Sequence, residues 1–152
     1  MVSKNQKVIF LVIFIVYILV VLNLTVFRFG FQFDERQLNL TLFADLINIY
    51  NNVGMSYQFL RLFLGNILWF VPFGFLLPML LKRISFLKII VIGFLFSFTI
   101  EASQFIFYKG VAELDDLILN TIGVAIGYSF FLFFNGLISR FKKNIDTDLK
   151  IH

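Results

Sequence analysis

Residues 99–123 read TIEASQFIFYKGVAELDDLILNTIG. Most of this stretch is apolar enough for membrane helices, yet Glu101, Glu113, Asp115 and Asp116 stand in or beside the apolar runs. A carboxylate in the centre of a bilayer costs roughly 2.5–3.5 kcal/mol on insertion scales, and such residues usually face the interior of a helix bundle. The stretch therefore predicts helices that turn polar faces towards one another and away from lipid.

The composition of the whole chain indicates an integral membrane protein. Of its 152 residues, 60% are hydrophobic and 14% are charged, and the apolar residues fall into long blocks, which is typical of membrane spans. A soluble domain of this size could not keep so much apolar surface out of water, because a small domain leaves much of its surface exposed.

The composition also excludes several functional classes. The chain has no cysteine, which excludes disulfides, thiolate metal sites and cysteine nucleophiles. Its one histidine is His152, at the end of the sequence, so histidine-based catalysis is not expected. The net charge of +4 comes from Lys and Arg that flank apolar blocks, as in membrane orientation signals. We predict no metal, no cofactor and no nucleic-acid partner.

Four apolar blocks are long enough to cross a bilayer, at about 20 residues for a helical span. They cover residues 8–27, 62–81, 89–108 and 117–138. The first is too long for the apolar core of a signal peptide and lacks a small-residue cleavage site, so we interpret it as a span. The sequence predicts an all-α bundle of four transmembrane helices, forming a single domain over residues 1–152.

The positive charges predict that both termini are cytoplasmic. Nine of the 13 Lys and Arg lie in the N-terminal segment, the 82–88 turn and the C-terminal tail, and Lys and Arg concentrate on the cytoplasmic side. The other two connections are then outside. In the long outer loop 28–61, Leu42, Leu46 and Ile49 have near-helical spacing, which fits either a short amphipathic helix at the interface or a plain loop.

Polar side chains in the predicted spans fall at similar depths. Glu101 and Gln104 are one turn apart in the third span, and Asp116 and Asn120 are one turn apart at the start of the fourth. Asn66 lies near the same end of the second span. If these faces turn inward, they line a polar cavity that opens to the outside, and we predict that this cluster binds a ligand.

Two states fit Glu101 in such a cavity. One is a charged carboxylate paired with Arg61 or Lys109, and the other is a protonated carboxyl. The three amides of the cluster fit a second interpretation equally well, because amide side chains also form hydrogen bonds that hold membrane helices together.

A second group of residues is expected to support this cluster by shaping the helices. Gly123 and Gly127 of the fourth span have the spacing of close helix packing, and the prolines of the second span are expected to kink it. Asp115 fits a solvated position at a helix N-terminus, where negative charge suits the helix dipole. The supporting residues are Pro72, Gly74, Glu113, Asp115, Gly123 and Gly127.

Three short motifs that contain these polar residues together resemble the VanZ-like family. Residues 66–74, NILWFVPFG, resemble its N-x-x-x-F-x-P-F-G signature, and residues 101–105, EASQF, resemble its E-x-x-Q-F. Residues 113–123, ELDDLILNTIG, resemble its D-x-x-D-x-x-x-N-T-x-G, with Glu in the first position. Residues 38–43, LNLTLF, are weakly similar to a fourth element, N-L-x-P-F.

The chain departs from the family pattern at two further points. Thr41 replaces the proline of the fourth element, and Val111 stands where many relatives have arginine. The resemblance implies a multi-pass protein of the bacterial plasma membrane, in a family whose best-known member lowers susceptibility to the glycopeptide antibiotic teicoplanin. It implies no chemical mechanism.

The residues leave several functions open. We favour an envelope protein whose outward polar pocket binds membrane lipid, a lipid-linked cell-wall precursor or an acylated glycopeptide. The main alternative is a membrane enzyme that acts on an envelope lipid through Glu101 and Asp116, as acid and base or through a bound divalent cation. A proton-coupled carrier and a packing subunit of a larger complex are the other candidates.

Overall fold

The computed structural model describes residues 4–27, 32–81 and 84–148, with backbone alone for residues 4 and 142–148. Within these ranges the chain forms five α-helices and two short strands. The elements in chain order are α1 (Lys4–Thr25), β1 (Gln37–Asn39), α2 (Ala44–Val53), α3 (Tyr57–Leu80), α4 (Phe86–Ile106), β2 (Val111–Glu113) and α5 (Leu114–Asp148).

Four helices of the described chain are long and apolar enough to cross a membrane, which confirms that prediction. The candidate spans are Asn5–Thr25, Tyr57–Leu80, Phe86–Ile106 and Leu114–Phe141. Each begins a few residues before the predicted block, since a helix continues past its apolar part into polar flanks. The cytoplasmic placement of both termini stays a prediction.

The closest helix pair in the bundle is α3 with α5, and glycines make it possible. A Cβ added to Gly74 would overlap the carbonyl of Val124, and a Cβ added to Gly127 would overlap the carbonyl of Val71. Gly123 faces a backbone carbonyl of α3 in the same way. Small residues allow two helix backbones to approach this closely, so all three glycines are packing contacts.

Helix α4 joins this pair at Val124, which is fully buried. The side chain of Val124 packs against Gly93 of α4, where an added Cβ would lie 2.6 Å from a valine methyl. The remaining core is a continuous cluster of apolar side chains from α1, α3, α4 and α5. Its other members are Val21, Val26, Phe70, Phe73, Leu77, Ile89, Ile100 and Tyr128.

Helix α1 packs mainly on α3 and exposes most of its large apolar side chains, as expected of a helix that meets lipid. The hydroxyl of Tyr17 donates a hydrogen bond to the carbonyl of Trp69 at 2.7 Å. The rings of Phe14 and Phe73 lie 5.5 Å apart, and Phe73 stacks on Phe96 at 5.1 Å. Aromatic contacts therefore connect α1 to the core through α3.

The two connections at one end of the bundle are joined by a parallel strand pair. Gln37 pairs with Val111, and Asn39 pairs with Glu113. The sequence analysis did not predict these strands, because three residues are too few to show an alternating pattern. The pairing fixes the first of these two connections beside the second and places Glu113 at the start of α5.

The long connection contains a short helix, α2, which is one of the two alternatives that the sequence leaves open. Leu46 is buried and Ile49 is half-buried, whereas Leu42 lies before the helix and is exposed. Phe43, the residue before the helix, has a left-handed backbone conformation with φ 53°. The location of α2 at a membrane interface stays a prediction.

Candidate functional site

One end of the bundle contains an open cavity of about 850 Å³. It lies between the last turns of α1 and α4 and the first turns of α3 and α5, with one residue of β2. All five residues of the polar cluster predicted from the sequence line this cavity: Asn66, Glu101, Gln104, Asp116 and Asn120. Apolar side chains complete its wall: Val21, Leu24, Leu62, Trp69, Phe70 and Ile100.

Glu101 is one of the most buried groups of the cavity, with a side chain 5% exposed. Its Oε2 accepts a hydrogen bond from the backbone N–H of Glu113 at 3.0 Å. The carboxylate therefore ties the end of α4 to β2, across the turn that separates them. Arg61 also lines the cavity but is exposed, and an ion pair of Glu101 with Arg61 or Lys109 stays a prediction.

The amides of the cavity connect different helices. The side-chain NH₂ of Asn66 in α3 donates to Oδ1 of Asp116 in α5. The NH₂ of Asn120 in α5 donates to the hydroxyl of Ser97 in α4 at 2.9 Å. The NH₂ of Gln104 donates to the last turn of α1 at 3.4 Å. These amides therefore hold the bundle together at the end where the cavity opens.

Two of the same amides present buried oxygens that lack a donor. Gln104 Oε1 and Asn120 Oδ1 are buried and have no hydrogen-bond partner in the described part of the chain. Buried polar atoms in folded proteins almost always have a partner, and exceptions call for an explanation. Both residues line the cavity, but these two oxygens are buried behind its surface.

Of the residues predicted to support the polar cluster, one lines the cavity and the others lie outside it. Glu113 lines the cavity, but Asp115 does not. Asp115 is 4% exposed, and its Oδ1 accepts a hydrogen bond from the N–H of Phe43 at 2.8 Å. The interpretation of Asp115 as a solvated carboxylate is therefore wrong, since the fold brings the long connection onto it.

Pro72 and the glycines lie away from the cavity. Pro72 borders a separate apolar groove between α3 and α5, inside a helix that continues to Leu80. Gly74, Gly123 and Gly127 are in the α3–α5 contact. These residues set the position of the helices, and through them the width of the cavity end.

Ser97 supports the site, although the sequence analysis did not single it out. It is fully buried and accepts the hydrogen bond of Asn120. Its spacing carried a signal, because Ser97, Glu101 and Gln104 follow the i, i+4, i+7 pattern of one helix face. No three acidic or histidine side chains of the described residues come together in an arrangement that could hold a metal ion.

The pKa of the Glu113 carboxyl is raised in the folded protein. Burial raises the pKa of its carboxyl above the ordinary value, and the negative charges of Asp45 and Asp115 raise this pKa further. The folded protein therefore binds a proton on Glu113 more tightly than the unfolded chain does. Its contribution to stability is present below the ordinary glutamate pKa of about 4.3 and is lost as the pH rises through the folded-state pKa.

We expect Glu113→Gln to reduce the pH dependence of thermal unfolding in detergent. The wild type should lose stability from mildly acidic towards neutral pH more steeply than the variant, because an amide has no proton to lose. Glu35→Gln is the control, since Glu35 is exposed and lies outside the cavity. Equal pH profiles for the wild type and Glu113→Gln would contradict the prediction.

The fold and the cavity together define a class of protein, a helical membrane protein with a polar cavity at one end of its bundle. The family model described as VanZ/LLP1 matches residues 14–135. The chain belongs to the VanZ/LLP1 family, which confirms the resemblance seen in its motifs.

A curated relative supports this assignment. Over 97 residues the chain is 35% identical to Protein VanZ of Enterococcus faecium, and the aligned region covers 64% of this chain and 53% of that protein. The chain thus spans about half the length of this relative. No solved structure matches the chain significantly.

Proposed function

We propose that this protein lowers susceptibility to teicoplanin-type glycopeptide antibiotics by binding a lipid-linked or acylated ligand in its cavity. In this proposal the cavity opens to the outer face of a bacterial plasma membrane. A ligand there is either a membrane-anchored cell-wall precursor or the antibiotic itself, held by its acyl tail. Membership of the VanZ/LLP1 family supports the general role.

The observation that carries the proposal is the convergence of the polar cluster on one cavity. Asn66 comes from α3, Glu101 and Gln104 from α4, and Asp116 and Asn120 from α5, and all of them line the same space. Its volume of about 850 Å³ lies within the roughly 300–1,000 Å³ typical of sites for drug-sized ligands.

The wall of the cavity suits an amphiphilic ligand. Its polar side is the cluster, and its apolar side includes Trp69 and Leu24, which are 48% and 47% exposed. The cavity also lies at the ends of the candidate spans, where lipid headgroups meet the hydrocarbon region. A headgroup could therefore enter the polar side while its acyl chain stays along the apolar side.

The charge distribution supports an outward opening. Outside the four apolar blocks predicted from the sequence, the segments at the cavity end carry four of the 13 Lys and Arg residues, and the other segments carry nine. Positive residues concentrate on the cytoplasmic side, so this distribution supports an outer position of the cavity end.

A second candidate is catalysis on an envelope lipid. Glu101 and Asp116 line the same cavity, so an acid and a base could act on one bound substrate.

The test of the favoured proposal is antibiotic susceptibility in a sensitive host that expresses the chain. We expect the wild type to raise the teicoplanin concentration that inhibits growth, with vancomycin as the comparison. Glu101→Gln and Asp116→Asn should abolish this gain. Loss of a hydrogen bond to a charged group costs about 1.5–3 kcal/mol, which is roughly a 10- to 150-fold loss of affinity.

Matched controls separate a loss of binding from a general effect of charge. Glu35→Gln and Asp34→Asn make the same chemical changes at exposed positions outside the cavity, and should keep the wild-type tolerance. Membrane levels of every variant are compared by immunoblot. A well-expressed wild type without increased tolerance would refute the resistance role.

A further inference from the structure

Gly65 differs from the glycines of the bundle core. It lines the cavity, and a Cβ added there would have no atom of the described residues within 4 Å. Gly74, Gly123 and Gly127 instead face backbone atoms of a neighbouring helix. Glycine inside a helix is less favourable than alanine, and no contact between the described helices requires it at Gly65. The missing side chain therefore leaves an open space on the cavity wall of α3.

Two hydrogen bonds of α1 mark the limits of this space. The hydroxyl of Tyr17 donates to the carbonyl of Trp69 at 2.7 Å, about 6 Å further along α3 than Gly65. The NH₂ of Gln104 donates to the carbonyl of Thr25 at 3.4 Å. Helix α1 is thus fixed to α3 one turn below Gly65, and its last turn is fixed to α4. A gap between α1 and α3 is left beside Gly65.

The gap lies within the candidate membrane spans. Gly65 in α3 and Leu24 in α1 both line the cavity, and both belong to these spans. Leu64 and Leu68, which are near Gly65 on α3, are exposed. Lipid tails are as apolar as leucine, so such side chains contact acyl chains in a bilayer. The gap therefore connects the cavity to the acyl chains of the membrane.

The cavity wall of α3 also has the order of polarity that an amphiphile requires. Arg61, Gly65 and Trp69 all line the cavity, and residues four apart lie on the same face of a helix. This face presents a charged side chain, then an open position one turn further, then an aromatic side chain. A polar group can contact Arg61 while an alkyl chain extends past Gly65 along Trp69.

On the basis of the proposed function, we infer that the ligand enters the cavity sideways from the bilayer, through the gap between α1 and α3, and that Gly65 keeps this entrance open. The ligand is then an amphiphile whose alkyl chain stays in the membrane while its polar group passes Gly65. A larger residue at this position would narrow the entrance without displacing a helix.

Substitutions of increasing size at Gly65 test this inference. Gly65→Leu should narrow the entrance and leave the fold intact, and Gly65→Ala adds a single methyl group and should have a small effect. Gly136→Leu is the matched control, because a Cβ there also meets no described atom within 4 Å and Gly136 does not line the cavity. The fraction of monodisperse protein after heating in detergent verifies that each variant is folded.

A single thiol reports access to the cavity, because the sequence contains no cysteine. Glu113→Cys places this thiol on the β2 wall of the cavity, on a different element from Gly65. The full chain in nanodiscs is treated with dodecyl methanethiosulfonate, which partitions into the bilayer. Water-soluble 2-(trimethylammonium)ethyl methanethiosulfonate is used in parallel, and intact mass gives both rates of modification.

We expect Gly65→Leu to slow modification by the dodecyl reagent at least about ten-fold, which is about 1.4 kcal/mol in the free-energy barrier. The water-soluble reagent should be slowed less, and Gly136→Leu should change neither rate. Equal slowing of the two reagents would show that leucine fills the cavity and does not close a lateral entrance. An unchanged rate for the dodecyl reagent would place the entrance elsewhere, and either result overturns the inference.

Preincubation with candidate ligands tests the proposed function separately. Teicoplanin and a polyprenyl pyrophosphate are each added before the dodecyl reagent. Protection of the thiol by teicoplanin would support the antibiotic as the occupant, and protection by the pyrophosphate would support a lipid-linked precursor. Protection by neither would contradict the proposed cavity ligand, whereas the rates of the Gly65 variants would still decide whether the entrance is lateral.

Discussion

Gly127→Ala is expected to lower the yield of folded protein sharply, and Gly74→Ala should have a similar effect. At both positions the nearest atoms to an added Cβ are backbone atoms of the facing helix. A backbone cannot rotate away as a side chain can, so α3 and α5 must separate. Overpacking of this kind typically costs about 1–3 kcal/mol.

The control for this prediction lies in the same helix. A Cβ at Gly136 would meet nothing within 4 Å, and alanine is the better helix former by about 1 kcal/mol in soluble helices. Gly136→Ala should therefore leave the protein unchanged or slightly more stable. The measurement is the fraction of monodisperse protein that survives heating in detergent, and equal losses for Gly127→Ala and Gly136→Ala would contradict the packing argument.

Asp115→Leu is expected to release the long connection from the bundle. Asp115 is buried and accepts the N–H of Phe43 at 2.8 Å, and Phe43 has a left-handed backbone that is uncommon for a bulky residue. Leucine fills a similar volume but accepts no hydrogen bond. The loss should destabilise this docking by about 1.5–3 kcal/mol, the range for hydrogen bonds to charged groups.

Hydrogen–deuterium exchange measures this effect directly. Amides of β1 and α2 should exchange roughly ten-fold faster or more in Asp115→Leu, because 1.4 kcal/mol corresponds to a factor of ten. Asp115→Asn keeps an acceptor and should give a smaller change. Asp34→Leu changes an exposed aspartate and should leave the exchange rates as they are. Unchanged exchange of α2 in Asp115→Leu would show that other contacts hold the connection.

The number of spanning helices and the approximate depth of their polar residues could be predicted from the sequence. A span requires a contiguous apolar stretch of about 20 residues, which is a property of each segment alone. The helical rise of 1.5 Å per residue then places Glu101 and Asn120 along their helices without reference to any neighbour. The family was also identifiable, because its motifs are short patterns of residue types and spacings.

Which groups meet could be decided only by the tertiary structure. The rotation of each helix depends on how α3, α4 and α5 pack together around Val124, so the Ser97–Asn120 and Asn66–Asp116 contacts could not be assigned from one helix at a time.

The two connections at the cavity end depended on the fold even more strongly. Three-residue strands have no periodic signal, and Asp115 finds its partner Phe43 far away in the sequence. The sequence by itself therefore determined that carboxylates lie at one end of a membrane bundle. The tertiary structure decided which polar groups bind to one another, because hydrogen bonds depend on atoms that only folding brings within about 3 Å of one another.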